Sequence, residues 1–126
     1  MINSQRSDQN RAIMQKIVDI FNTGDLSEVD SIFSLDYIDH QKPPDMDIDG
    51  PDEFKQIVRN VRESVQKVEV TIKDLIIEEN KVVGRLHWHI IDSAGKEIHR
   101  ETIDILRLVD GRVLEHWGAE AWRKET

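Results

Sequence analysis

An aspartate and a histidine on two neighbouring predicted strands could together move a proton. They are Asp104 and His116, which flank the Asp110-Gly111 turn, the strongest hairpin signal in the sequence. A three-residue loop with its glycine in the left-handed conformation would place Asp104 directly opposite His116. A two-residue turn would instead pair Asp104 with Trp117. We favour the first register because it sets polar residues opposite polar ones and apolar residues opposite apolar ones. An imidazole held by a carboxylate can have a pKa near neutral pH, which suits a general acid or base.

The preceding turn extends the same face of the sheet. Read as a three-residue hairpin loop, residues 93–95 pair Trp88 with Arg100. Arg100, Asp104 and His116 then lie within an apolar surface that helices must cover, which predicts a small-molecule cavity. There we expect Arg100 to stabilise a developing enolate. The alternative is that Arg100 and Asp104 form a structural ion pair while His116 is a hydrogen-bonded core histidine. The apolar residues of this face that we expect to contact a substrate are Trp88, Leu106 and Leu114.

The opposite face of these strands carries histidines and a hydrophobic stripe. The register sets His89 against His99 and His87 against Glu101. A His-x-His pair with a third imidazole could bind zinc. Because histidines on an outer sheet face are more often interface residues, we expect no metal here. The stripe is too hydrophobic to leave in water, which predicts a homodimer through this face; its members are Ile103, Ile105 and Trp117.

Length and composition restrict the class of protein. The 126 residues suit one domain with a substantial core. The net charge of −8 argues against nucleic acid and anionic membranes as partners. No apolar run approaches the roughly 20 residues of a membrane span, and the polar beginning of the chain does not resemble a signal peptide. With no cysteine for disulfides, we expect a cytoplasmic protein.

The hydrophobic periodicity predicts an α+β fold in which helices precede an antiparallel meander. The segment at 34–50 contains two prolines and several aspartates, which indicates a loop. Its Asp45–Gly50 stretch resembles the start of a calcium-binding loop, but Gln56 stands where a bidentate glutamate is needed. We therefore expect no metal there, and no other motif in the sequence indicates a cofactor. The predicted elements are helices at 9–22, 26–33 and from Pro51 to about residue 65, and strands at 68–78, 81–91, 97–109 and 112–122.

Three stretches together resemble the SnoaL-like polyketide cyclases of the nuclear transport factor 2-like superfamily. They are FNTGDLSEVDSIFSLDYIDHQ, GPDEFKQIVRNVRESV and DILRLVDGRVLEHW. The resemblance implies a cone-shaped α+β barrel, a strongly curved and mostly antiparallel sheet whose concave face is covered by the N-terminal helices. It also implies a pocket between helices and sheet, dimers through the sheet, and cofactor-free acid/base chemistry such as aldol ring closure.

The resemblance also assigns roles to individual residues. His116 corresponds to the family's pocket histidine and Asp104 to a polar pocket position, while Asp39 and His40 match a loop at the pocket mouth. The family's catalytic aspartate falls on Gly118, which has no side chain to move a proton.

Two functions therefore follow from the sequence. One is a cofactor-free enzyme, a cyclase or isomerase acting on a cyclic or ketonic apolar substrate with His116 and Asp104 as its acid/base pair. The other is a module that binds a small apolar or polycyclic ligand without chemistry, and the fold alone does not distinguish them.

Overall fold

A computed structural model describes residues 2–126, with side chains described from residue 5 onward. Helix α1 (Ile2–Thr23) is followed by Gly24, whose N–H bonds the Ile20 carbonyl at 2.8 Å and whose positive φ of 78° turns the chain out of the helix. In chain order the elements are α1 (Ile2–Thr23), α2 (Val29–Ile32), β1 (Phe33–Asp39), α3 (Pro51–Ser64), β2 (Val65–Glu78), β3 (Lys81–Asp92), β4 (Glu97–Val109) and β5 (Arg112–Glu125).

Helices α1 and α3 are joined through a charged side chain. Pro51 begins α3 and Asp52 and Glu53 lie in its first turn, as helix capping preferences favour. Near the other end, Arg62 donates hydrogen bonds to the carbonyls of Phe21 and Asn22 at 2.7 and 3.0 Å. These carbonyls belong to the last turn of α1, where a cation is stabilising. No helix within residues 2–126 is long and apolar enough to cross a membrane.

The five strands form one sheet in the order β1-β5-β4-β3-β2. All neighbours are antiparallel except β1, which runs parallel to β5. The sheet is curved but does not close into a barrel, and α1 and α3 pack against one face of it. The predicted α+β architecture, with helices on one face of a mostly antiparallel sheet, is confirmed.

The register between β3 and β4 is the predicted one. Trp88 lies opposite Arg100 and His89 lies opposite His99. Gly95 in the connecting turn has φ of 85°, which a glycine adopts without strain. The short loop therefore fixed which side chains share a face.

The predicted register between β4 and β5 is wrong. Asp110 and Gly111 form a two-residue turn with φ of 53° and 77°, and Val109 pairs with Arg112. Leu114 is then an extra residue, because Val113 and Glu115 lie opposite the consecutive residues Leu108 and Arg107. This bulge shifts the strand, and it was not visible in the sequence.

Asp104 consequently lies opposite Gly118, and Leu106 lies opposite His116. Because the side-chain alternation is preserved, Asp104 and His116 still share one face as diagonal neighbours.

The segment predicted as a loop at 34–50 begins with most of a strand. Residues Phe33–Asp39 form β1, in which Phe33 and Tyr37 are buried against each other. The helix predicted at 26–33 is correspondingly shorter and covers only Val29–Ile32. Parallel pairing with a strand about 80 residues away leaves no turn signal in the sequence, which is why β1 was missed.

Candidate functional site

A cavity of about 340 Å³ lies between α1, α3 and the inner face of the sheet. Most of its wall is apolar, from residues such as Phe21, Phe54, Trp88 and Leu106. A small number of polar groups in an apolar wall is the usual composition of a small-molecule site. The polar side chains that line it are Tyr37, Asp39, Gln41, Arg100, Thr102, Asp104 and His116.

His116 is held between two carboxylates at this cavity. Its Nδ1 lies 2.9 Å from Asp39 Oδ1 and its Nε2 lies 2.8 Å from Asp104 Oδ1. The side chains of His116, Asp104 and Asp39 are only 17%, 14% and 7% exposed. An imidazole can bond to two carboxylates in this way only by donating from both nitrogens, so the arrangement favours the imidazolium ion.

The order of the strands explains how these three residues meet. His116 is on β5, which lies between β1 and β4. Asp39 is the direct partner of His116 across the parallel β1–β5 pair, and Asp104 is its diagonal neighbour on β4. The sequence predicted that Asp104 and His116 would meet, and their contact is present despite the different register.

The second carboxylate was not recognised as such from the sequence. The resemblance placed Asp39 at the pocket mouth, but its segment was read as a loop. The alternation of apolar Phe33, Leu35 and Tyr37 with polar residues was the available signal for the strand that carries it.

The two carboxylates determine the charge of His116. Burial alone would lower the pKa of the imidazole, but the hydrogen bonds and negative charges of Asp104 and Asp39 outweigh it and raise the pKa from 6.5 to about 9. At neutral pH the group is therefore an imidazolium with a carboxylate on each side. It can give up a proton, but it is not a free base.

A chain of hydrogen bonds orients Asp104. The Thr102 hydroxyl donates to Asp104 Oδ2 at 2.7 Å, and Trp88 Nε1 donates to the Thr102 oxygen at 2.9 Å. Trp88 and Thr102 are buried, so the carboxylate is held by groups that cannot move freely. Beside Asp39, burial and the negative charge of that carboxylate raise the pKa of the Tyr37 hydroxyl, which keeps it protonated.

Gly118 faces this group, and its missing side chain leaves no gap. A Cβ at Gly118 would lie 2.3 Å from Gln41 Oε1, 2.8 Å from Asp104 Oδ1 and 3.1 Å from His116 Nε2. The space beside His116 that a side chain at 118 would enter is thus filled by the Asp104 carboxylate and the Gln41 amide. An acid remains next to the imidazole, but it comes from the neighbouring strand.

Arg100 also lines the cavity but does not join these residues. Its Nε is 2.9 Å from Glu120 Oε2, and its guanidinium carbon lies 5.5 Å from the centre of the Trp88 ring. Arg100 and Asp104 are four positions apart along β4, roughly 13 Å at the rise of a strand. No Arg100–Asp104 ion pair forms among the described residues, because the Arg100 guanidinium lies beside Glu120 and Asp104 contacts Thr102 and His116.

Four other residues had been predicted to contact a substrate, together with Asp39. Trp88 and Leu106 line the cavity. His40 does not, because its ring stacks on Trp117 and its Nε2 lies 2.7 Å from Glu115 Oε2. Leu114 is also absent from the cavity wall, since it is the extra residue of the bulge.

The side chains that are best arranged for a metal ion lie elsewhere. Within the described part of the chain, one group of three histidine and carboxylate ligands is close enough to hold an ion, namely His89, Glu97 and His99. It is on the face of the sheet opposite to the cavity.

Comparison with known proteins agrees with this architecture. A candidate polyketide cyclase from Bacillus cereus ATCC 10987 is 26% identical, with a TM-score of 0.82 over 90% of this chain and 74% of that one. TsrD from Streptomyces laurentii is 21% identical, with a TM-score of 0.80 over 90% of this chain and 89% of that one. An LEH-like epoxide hydrolase from M. tuberculosis is 14% identical, with a TM-score of 0.73 over 90% of this chain and 84% of that one.

No curated protein matches the sequence. The family model of the SnoaL-like polyketide cyclases matches residues 11–120, which is most of the chain. The chain therefore belongs to the SnoaL-like polyketide cyclase family.

Proposed function

We propose that this protein is a cofactor-free acid/base enzyme that acts on a mostly apolar ketone bound in the cavity. The observation that carries the proposal is the group formed by Asp39, His116 and Asp104, in which an imidazolium lies between two carboxylates in an apolar wall. Such a group holds both a proton to give and a site to accept one, which is what enolisation and aldol closure require.

The proton movements balance within the pair. In an aldol closure, Asp104 takes a proton from the carbon next to the substrate ketone, and the enolate forms a carbon–carbon bond with a second carbonyl. His116 gives its Nε2 proton to the new alkoxide. The proton on Asp104 then passes to His116 Nε2 across the 2.8 Å contact, and the pair returns to its starting state. Asp39 keeps the imidazole oriented and stabilises its charge throughout.

The sequence assigned enolate stabilisation to Arg100, and the geometry favours a different role. The guanidinium lies over the Trp88 ring, and Arg100 is four positions along β4 from Asp104, roughly 13 Å at the rise of a strand. We propose that Arg100 binds an electron-rich group of the substrate, such as a carboxylate or a remote carbonyl, and so orients the reacting ketone toward His116. The ligand would be an elongated molecule, apolar along its middle.

A second function, binding without chemistry, is favoured by one observation. Both ring nitrogens of His116 are already paired with carboxylates, as they would be in a purely structural ion group. The cavity would then hold an apolar ligand while the charged group only supports its wall.

Exchange of substrate α-protons with deuterium distinguishes the two functions without knowledge of the natural substrate. A panel of cyclic and aromatic ketones is incubated with the protein in D₂O, and loss of the α-proton signals is followed by NMR. We expect catalysed exchange of those ketones that bind, reduced about 100- to 10,000-fold in His116→Gln and Asp104→Asn.

The matched control is Asp36→Asn, which removes an exposed carboxylate from the strand that also carries Asp39. This variant should exchange protons at the wild-type rate. Ketones that bind but exchange no faster than in buffer would support the binding module and reject the enzyme.

A further inference from the structure

The outer face of the sheet, away from the cavity, carries a second cluster of ionisable side chains. One ligand atom from each of His89, Glu97 and His99 lies within 4.8 Å of the other two. His89 on β3 lies directly opposite His99 on β4, and Glu97 precedes His99 by two residues, so all three share one face. Imidazole nitrogens and a carboxylate oxygen are ligands that zinc and similar ions accept.

One member of the cluster lacks a hydrogen-bond partner. His89 Nε2 is buried without a hydrogen bond among the described residues. Glu97 Oε1 is 3.4 Å from it but is directed toward His99 Nε2, at 2.7 Å. A buried polar atom without a partner costs free energy, and a bound cation would supply that partner.

A fourth residue prepares His99 to act as a ligand. His99 Nδ1 lies 3.0 Å from His87 Nε2. When Nδ1–H donates a hydrogen bond to His87 Nε2, the neutral imidazole of His99 carries its lone pair on Nε2, which points into the cluster. An outer hydrogen bond of this kind is typical of histidines that bind metals.

We propose that His89, Glu97 and His99 bind a divalent transition-metal ion such as Zn²⁺, with His87 positioning His99. Metal–ligand bonds of about 2.0–2.1 Å set tetrahedral ligand atoms roughly 3.3 Å apart. The 3.4 Å between His89 Nε2 and Glu97 Oε1 already meets that spacing. The 2.7 Å contact between His99 and Glu97 lengthens when the ion replaces the proton they share. Water takes the remaining ligand position.

This site revises the expectation from the sequence. The zinc alternative depended on an inferred register, and the structure has that register. Glu97 adds a ligand that was not considered there. Because the cluster and the cavity lie on opposite faces of the sheet, the metal site is independent of the proposed chemistry at His116.

Titration of the full-length chain with Co²⁺ tests the site, because tetrahedral Co²⁺ gives a strong visible absorption. We expect one Co²⁺ per chain at neutral pH and its displacement by Zn²⁺. His89→Ala and Glu97→Gln should each weaken binding at least about tenfold, and loss of the outer partner in His87→Ala about 10- to 100-fold.

His40→Ala is the matched control, because it also removes a histidine paired with a glutamate but lies outside the cluster. It should bind Co²⁺ as the wild type does. The Glu97 side chain is 48% exposed, so we expect Glu97→Gln to fold, which circular dichroism can verify. If His89→Ala does not fold, Glu97→Gln alone tests the site. Absence of the absorption at micromolar metal, or equal binding by wild type and Glu97→Gln, would overturn the proposal.

Discussion

His116 is positively charged at neutral pH because two carboxylates stabilise the buried imidazolium in place of water. From the sequence, one carboxylate and a pKa near neutrality were expected. The second carboxylate, Asp39, changes the chemistry, since it moves the pKa to about 9 and makes His116 a proton donor. In the proposed reaction, Asp104 is therefore the group that accepts a proton from the substrate.

The charge of His116 makes stability depend on pH in a defined direction. The pKa of His116 is raised from 6.5 to about 9 in the folded state. Its contribution to the free energy of unfolding is therefore complete below pH 6.5 and is lost as pH rises through 9. It amounts to on the order of 3 kcal/mol. Urea unfolding of the wild type should therefore show a fall in the free energy of unfolding between these pH values that His116→Gln does not show. Parallel pH profiles for the two proteins would contradict the charge assignment.

At the scale of elements, the sequence predicted which face of the β4–β5 hairpin each site residue occupies, but not the register of the two strands. Alternation predicted that Asp104 and His116 share a face, because a strand has a period of two. It could not predict the bulge at Leu114, since an extra residue changes the register without changing the apolar pattern around it. The short 93–95 turn was predicted correctly because its length and glycine determine its geometry. Strand β1 was missed because its partner, β5, is distant in sequence.

The bulge predicts how the protein responds to a change of one residue in β5. Deletion of Leu114 leaves Val113 and Glu115 opposite the consecutive residues Leu108 and Arg107, so His116 keeps its side of the sheet. The deletion should cost only about 1–2 kcal/mol of stability and preserve α-proton exchange.

An alanine inserted after Glu115 is the matched change in the other direction. It should turn His116 to the outer face and abolish exchange, because a slip of one residue exchanges the two faces. Exchange that survives the insertion but not the deletion would contradict the observed register.

At the scale of the whole molecule, no helix within residues 2–126 covers the face of the sheet opposite to the cavity. Ile103 and Trp122 are 36% and 42% exposed there, while Trp117 packs against the His40 ring. We propose that a second copy of the chain covers this face, as the hydrophobic stripe in the sequence led us to expect.

A charge introduced into the stripe tests this assembly. Ile103→Lys is preferable to a change at Trp117, because Trp117 also has a contact within its own chain. The wild type should sediment as a dimer at micromolar concentration and Ile103→Lys as a monomer with an unchanged circular dichroism spectrum. A wild type that is already monomeric would contradict the dimer.

His116 is an imidazolium whose two ring N–H groups are bonded to Asp39 and Asp104, one to each. Nitrogen NMR of protein labelled with ¹⁵N-histidine tests it directly, because the chemical shifts of the ring nitrogens report which of them carries a proton. We predict that both nitrogens of His116 are protonated at pH 7 and titrate together with a pKa of about 9. In Asp104→Asn, which removes one of the two charges, the pKa should fall. A His116 ring with a single protonated nitrogen at pH 7 and a pKa near 6.5 would contradict the assignment of the charge to His116.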